Sequence, residues 1–138
     1  MTNDSPTEMT IKTEGDIVLV RRAAREAANR AGFGPTDVTR IVTACSELAR
    51  NIFKYAGEGT MRWRLIATGN RSGIELEFQD RGPGIADVNQ AMEEGYTTGD
   101  GLGMGLPGAK RLVDEFDICS SLGQGTTITL KKWIRQLQ

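Results

Sequence analysis

No histidine occurs anywhere in the 138 residues. This absence removes Ser-His-Asp and Cys-His catalysis, histidine-ligated zinc and any phosphohistidine chemistry within the chain. Acid–base work must therefore fall to carboxylates, lysine, tyrosine or water. Cysteine is nearly absent too: Cys45 and Cys119 are far apart and form no CxxC pair. They read as reduced, buried, small apolar residues of a cytoplasmic protein rather than a disulfide. No apolar run reaches transmembrane length and no leader pattern opens the chain, so no membrane association is expected. Nor is there a basic excess, since 17 Lys and Arg stand against 18 Asp and Glu. A dedicated nucleic-acid binder would normally show one.

Glycine is plentiful, at 17 residues, and five fall within "TTGDGLGMGLPGAK": Gly99, Gly101, Gly103, Gly105 and Gly108. Glycine loses more conformational freedom on folding than any other residue, so the cluster needs a reason. A phosphate cradle, a mobile lid and a plain flexible loop are the candidates. "GMGLPG" matches GxGxxG literally, but no buried strand precedes it, as a dinucleotide fingerprint requires. No GxxxxGK[ST], HRD or DFG pattern exists, which excludes a P-loop and a protein-kinase fold. A loop closing onto a helix N-terminus near Leu106 to Lys110 would offer backbone N–H groups to a triphosphate.

The length predicts one domain over residues 1–138, with residues 1–7 a frayed terminus. "EMTIKT" alternates like a short strand. A helix is expected from Asp16, as N-cap, to Ala31, with Gly32 past its end. A second helix carries Pro35 in its first turn and is stopped by Gly57. "GTMRWRLIATG" and "GIELEFQD" read as two strands turning around Asn70 to Gly73. After a long irregular stretch, "LPGAKRLVDEF" is helical and "DICSSLGQGTTITLKKWI" gives two more strands. That order predicts an α+β two-layer sandwich, with a mixed, mostly antiparallel sheet packed on about three helices.

On the second helix, Val38, Ile41, Val42, Cys45, Leu48, Ala49, Ile52 and Phe53 share one broad apolar face. Glu47 and Asn51 are i, i+4 neighbours on the opposite side. They are either a solvated polar face or a pair that reaches one small target. In the second case the amide oxygen suits Mg²⁺ and the carboxylate can orient or deprotonate a nucleophile. Asp80 ends the strand "IELEFQD" before "RGPGI". This is either a plain turn, or a carboxylate that accepts from an exocyclic amine while glycines admit the base. Arg21, Arg22 and Arg25 on the first helix are either a solvated face or a partner contact, the former being the usual fate of exposed charge.

"SELARNIFKYA", "DRGPGI", "GDGLGMGL" and "GQGTTITL" stand in that order. Together they resemble the asparagine box, the two glycine boxes and the closing Gly-Thr element of the GHKL (Bergerat-fold) ATPase and kinase superfamily. DNA gyrase B, MutL and the histidine kinases belong to that superfamily. The resemblance runs from about Glu8 to Trp133. In its small size and in "GLGMGLPGAKRLVDEF" the chain is most similar to the anti-sigma-factor-type serine/threonine kinases, in particular the RsbT-like switch kinases of bacterial stress-response (stressosome) modules. The resemblance implies Glu47 as general base and Asn51 as the ligand of Mg²⁺. It implies Asp80 as the acceptor of the adenine amino group, with Gly82, Gly84 and Ile85 beside it, and Thr126 supporting the same base through water. Gly101, Gly103 and Gly105 match the phosphate loop, seated by Leu102, Met104 and Leu106, with Lys110 near phosphate. A short ATP lid spans about Ile85 to Gly101. The implied substrates are ATP and a STAS-domain antagonist protein, and the implied second partner is a PP2C-type phosphatase. The alternative is an anti-sigma factor, or a non-catalytic ATP-regulated binding module, that sequesters its partner.

Overall fold

A computed structural model describes residues 5–85, Met92 and 105–134. Five strands form one sheet: β1 (Thr7–Ile11), β2 (Gly59–Thr68), β3 (Arg71–Asp80), β4 (Glu115–Ser121) and β5 (Gly125–Trp133). Their order is β1-β2-β3-β5-β4, and every neighbouring pair is antiparallel. Three α-helices, α1 (Glu14–Ala31), α2 (Pro35–Asn51) and α3 (Gly105–Arg111), make up the second layer among the described residues. The expected two-layer α+β sandwich and its element order are both present. The sheet is wholly antiparallel rather than mixed, because β5 lies between β3 and β4, the strands that run the same way across the helical connection.

The core lies between the layers. Ile11, Met61, Ile74, Leu76, Phe78, Ile128 and Leu130 point from alternate strand positions onto Val20, Ala24, Ile41, Cys45 and Leu48 of the helices. The opposite face of the sheet is polar and carries crossed ion pairs, such as Arg64 to Glu75 at 2.8 Å. This alternation is what sets the register, since a one-residue slip would turn the apolar set outward.

Several boundaries differ from the expected ones. Thr7 already belongs to β1, paired with Trp63. Helix α1 starts two residues early because Thr13, not Asp16, is its N-cap. Thr13 Oγ1 accepts from Asp16 N–H at 3.2 Å, and Asp16 Oδ2 accepts from Thr13 N–H at 3.0 Å. Asp16 is thus the third residue of a capping box. The Lys12 N–H, which donates to Asp16 Oδ2 at 2.9 Å, and the Thr13 N–H hold its carboxyl below the usual carboxylate range. The β2–β3 turn is the pair Gly69–Asn70, tighter than expected, and β3 begins at Arg71. Helix α3 ends at Arg111, short of the helix predicted to Phe116. From Glu115 the side chains alternate with a period of two, and Asp114 N–H donates to Lys131 O at 3.0 Å, so pairing with β5 wins over the helix. Cys45 is fully buried, and burial pushes its thiol pKa up. Cys119, expected buried, is exposed because it points out of the polar face of edge strand β4. Both cysteines are free thiols.

Candidate nucleotide site

Helix α2 does not run as an ideal helix to Gly57. After Asn51 the chain widens into a π-helical turn, Ile52–Ala56, closed by Gly57 N–H donating to Ile52 O at 2.9 Å. Such widened turns recur at functional sites. The turn lies against the sheet where β2 and β3 meet. Ala56 packs on Gly82, where an added Cβ would stand 2.6 Å from the Ala56 Cβ. The end of α2 and the "DRGPG" turn after β3 are thereby brought together, as the order of the motifs requires.

Asp80, Thr126 and Ser120 form a row across three adjacent strands. Asp80 is the register partner of Thr126, and Thr126 that of Ser120. Paired residues project to the same face of an antiparallel sheet, and here that face is the helix side. Asp80 Oδ1 accepts from Gly82 N–H at 2.8 Å, a turn that fixes the carboxylate. The "RGPGI" segment is tied to the β4–β5 hairpin at two points. Gly123 N–H donates to Pro83 O at 2.7 Å, and Ile85 N–H donates to Ser120 Oγ at 2.9 Å.

Two glycines make this closeness possible. Gly84 has φ 77°, and a Cβ there would overlap the Ser121 carbonyl oxygen. Gly125 has φ 82°, and a Cβ there would overlap the Asp80 carbonyl oxygen. Both positions combine a left-handed backbone with a backbone-to-backbone approach that no side chain fits.

Glu47 and Asn51 lie one turn apart on α2, as their spacing dictates, but neither faces open solvent. Residues 44–49 of α2 are buried apart from Glu47, because α1 and α3 cover its flanks. The Glu47 side chain is 13% exposed, and Arg50 Nη1 donates to its Oε1 at 3.0 Å. Asn51 is half-buried at the junction with the π turn. Among the other expected residues, Gly105 and Leu106 open α3, whose buried face packs against the core, and Lys110 is exposed on it. Gly101, Leu102, Gly103 and Met104, and the lid beyond Ile85, lie outside the described residues, Met92 apart. Arg21 is not part of a solvated basic face: its Nε donates to the buried Ser46 Oγ at 3.0 Å and clamps α1 to α2. Arg22 and Arg25 are exposed.

Two residues at the site carry no sequence signal. Arg50 is unmarked because helical charge is common. Ser120 becomes visible only once the β4–β5 register puts it beside Thr126 and within reach of Ile85. Among the described residues no group of three His, Cys, Asp or Glu could hold a metal ion by itself.

Known proteins share this fold and much of this sequence. The model of the histidine kinase-like ATPase domain matches residues 11–132. The chain is 49% identical over 125 residues to the serine/threonine-protein kinase RsbT of Bacillus subtilis, covering 91% of this chain and 94% of that protein. It is 32% identical over 116 residues to an anti-sigma F factor of Thermoanaerobacter sp. (strain X514), covering 78% and 80%. A crystal structure of the RsbU and RsbW domains of a Mycobacterium tuberculosis protein shares the fold, with a TM-score of 0.66 at 24% identity. It covers 98% of this chain, which spans 34% of that longer one. The chain belongs to the histidine kinase-like ATPase domain family.

Proposed function

We propose that this histidine kinase-like ATPase domain is a serine/threonine protein kinase of a bacterial partner-switching module. In this reading it phosphorylates a STAS-domain antagonist protein on a hydroxyl side chain. Once released from that antagonist, it binds and activates a PP2C-type phosphatase. The observation that carries the reading is the 49% identity, over nearly the full length of both chains, to a protein named a serine/threonine kinase. The order of the four motifs points the same way.

The residues fit the molecules that this activity needs. The base end offers the Asp80 carboxylate and the Thr126 hydroxyl side by side, acceptors suited to the amino group of adenine. Gly84 and Gly125 let backbone segments approach so closely that the base end is walled by main chain rather than filled by side chains. At the other end of the site, the Asn51 amide oxygen is a hard donor of the type Mg²⁺ takes. Asn51 would hold a magnesium ion there, and the ion would supply charge neutralisation to the phosphates. Bound Mg²⁺–ATP supplies the phosphoryl group and neutralises the charge of its transfer.

The chain's own side chains do the rest by position. Arg50 holds one oxygen of Glu47 and fixes the carboxylate's direction. Glu47 takes the proton that the acceptor hydroxyl loses as its oxygen bonds to the γ-phosphorus and ADP departs. Phosphoryl transfer leaves little covalent work to the protein, so placing the hydroxyl is the larger part of the task. A second reading, an anti-sigma factor that sequesters its partner, is favoured by the relatives named anti-sigma F factor, at lower identity.

The test is transfer of labelled phosphate from Mg²⁺–ATP to a purified STAS-domain partner by wild type and Glu47→Ala. Wild type is expected to transfer. The variant is expected to bind nucleotide as well as wild type and to transfer slower by roughly 10²–10⁴-fold. Undiminished transfer by the variant removes Glu47 from its role. No transfer by wild type, with tight capture of a sigma factor, favours the second reading.

A further inference from the structure

Ser120 touches three groups in the row at the base end, and its hydrogen bonds can be counted. A hydroxyl has one proton to give and two lone pairs to receive. The Gly125 carbonyl oxygen, 2.9 Å from Ser120 Oγ, can only accept, so the serine proton goes there. Ile85 N–H can only donate, and it takes one lone pair at 2.9 Å. The remaining contact, Thr126 Oγ1 at 2.7 Å, must then be a donor to Ser120. The Thr126 proton is thus committed to Ser120. What Thr126 can offer a ligand is its lone pairs. Asp80 beside it is an acceptor as well, with Gly82 N–H on one oxygen.

We propose that Ser120 is a positioning residue that makes the Thr126 hydroxyl an obligate acceptor, so that the base end selects 6-amino purines and refuses 6-keto purines. This rests on the reading that ATP binds at Asp80 and Thr126. A 6-amino group in direct contact meets lone pairs on both sides. A 6-keto oxygen meets lone pairs with lone pairs. A freely rotating threonine hydroxyl would turn its proton to the keto oxygen and forgive the difference. Ser120 prevents that turn. The same serine anchors the "RGPGI" segment through Ile85, so the selecting hydroxyl and the turn beside Asp80 are set by one residue.

The experiment measures dissociation constants of ATP and inosine triphosphate, with Mg²⁺, for wild type, Ser120→Ala, Thr126→Val and the double variant. Inosine triphosphate carries a 6-keto group and a protonated N1 in place of adenine's edge. Wild type is expected to prefer ATP. In Ser120→Ala the ATP-to-inosine preference is expected to narrow by roughly tenfold, the scale of one mismatched polar contact. Adding Ser120→Ala to Thr126→Val is expected to change the preference no further, because the hydroxyl that Ser120 directs is gone. A purely structural serine would weaken both nucleotides alike and leave the ratio unmoved, and that result overturns the inference. Should Ser120→Ala lose its fold, Thr126→Val alone carries the test: a preference equal to wild type overturns the proposal. A wild type that binds neither nucleotide overturns the ATP reading itself and the inference with it. A wild type that prefers ATP while Ser120→Ala keeps the ratio overturns the inference only.

Discussion

At one end of β5, Lys132 Nζ is buried between two carboxylates, 3.7 Å from Asp37 and 3.9 Å from Asp114. Asp114 also accepts from Trp133 N–H at 2.7 Å, Trp133 donates to Glu115 at 2.6 Å, and Arg71 lies over the indole at 4.0 Å. Charge there is matched by charge, and α2, β4 and β5 are fastened together. At the other end of the same strand, Asp80 has a backbone N–H as its partner among the described residues. Gly84 and Gly125 there bring backbone against backbone where no side chain fits. The two ends share one sheet and one helix, yet one end pairs side-chain charges with each other, while at the other the Asp80 carboxylate meets a backbone N–H. A buried network completed from within reads as stability, and one left open beside a rigid backbone reads as binding.

Substitutions at the two ends sharpen this contrast. Gly125→Ala at the open end has the largest expected effect. The added methyl meets the Asp80 carbonyl on a left-handed backbone, and stability should fall by about 3 kcal/mol or more. Any folded fraction should bind Mg²⁺–ATP poorly; denaturant melts and a binding titration read the two effects. At the closed end, Lys132→Ala leaves Asp37 and Asp114 facing each other without their cation. The carboxylates keep some solvent exposure, so a loss of about 2 kcal/mol is expected, or about 7 °C in Tm. Nucleotide affinity should stay at the wild-type value. If it fell in parallel, the two ends would be one cooperative site and the contrast would be lost.

The smallest effect is expected at the cap of α1, which belongs to neither network. Backbone N–H groups lower the Asp16 pKa from 3.8, so its contribution is present above that pH and fades as pH falls through the lower folded value. Asp16→Ala should therefore lower Tm slightly at neutral pH, and the gap to wild type should close in acid. A gap that widened in acid would show that the cap stabilises by some route other than its ionised form.

How much of this could be read from residues alone depends on what each feature rests on. The helices α1 and α2 and all five strands follow from apolar periodicity and from Gly and Pro punctuation. Where the elements depart from these local patterns, a longer-range interaction decides. Thr13 and Asp16 are both good cap residues, and only the reciprocal bonds reveal which one caps. "LVDEF" has helical propensity, but β5 recruits its last two residues into β4. The π turn after Asn51 follows from the contacts of Ile52–Ala56 with the sheet, which no local pattern encodes. Glu47, Asn51, Asp80 and Thr126 are candidates by motif order alone; the structure sets Glu47 one turn from Asn51 and pairs Asp80 with Thr126. Ser120 and Arg50 are not marked by motif order, since one depends on strand register and the other on a side-chain rotamer.

The most direct test of the account is a thermal shift with Mg²⁺–ATP on wild type and Asp80→Asn. Nucleotide at a hundredfold over Kd should stabilise wild type by about 2.7 kcal/mol, or about 9 °C for a domain of this length. Asp80→Asn, which keeps the shape of the side chain, should melt close to wild type without nucleotide and lose most of that shift with it. A shift of equal size in both proteins would place the base elsewhere. No shift in wild type at millimolar ATP would contradict nucleotide binding at the open end altogether.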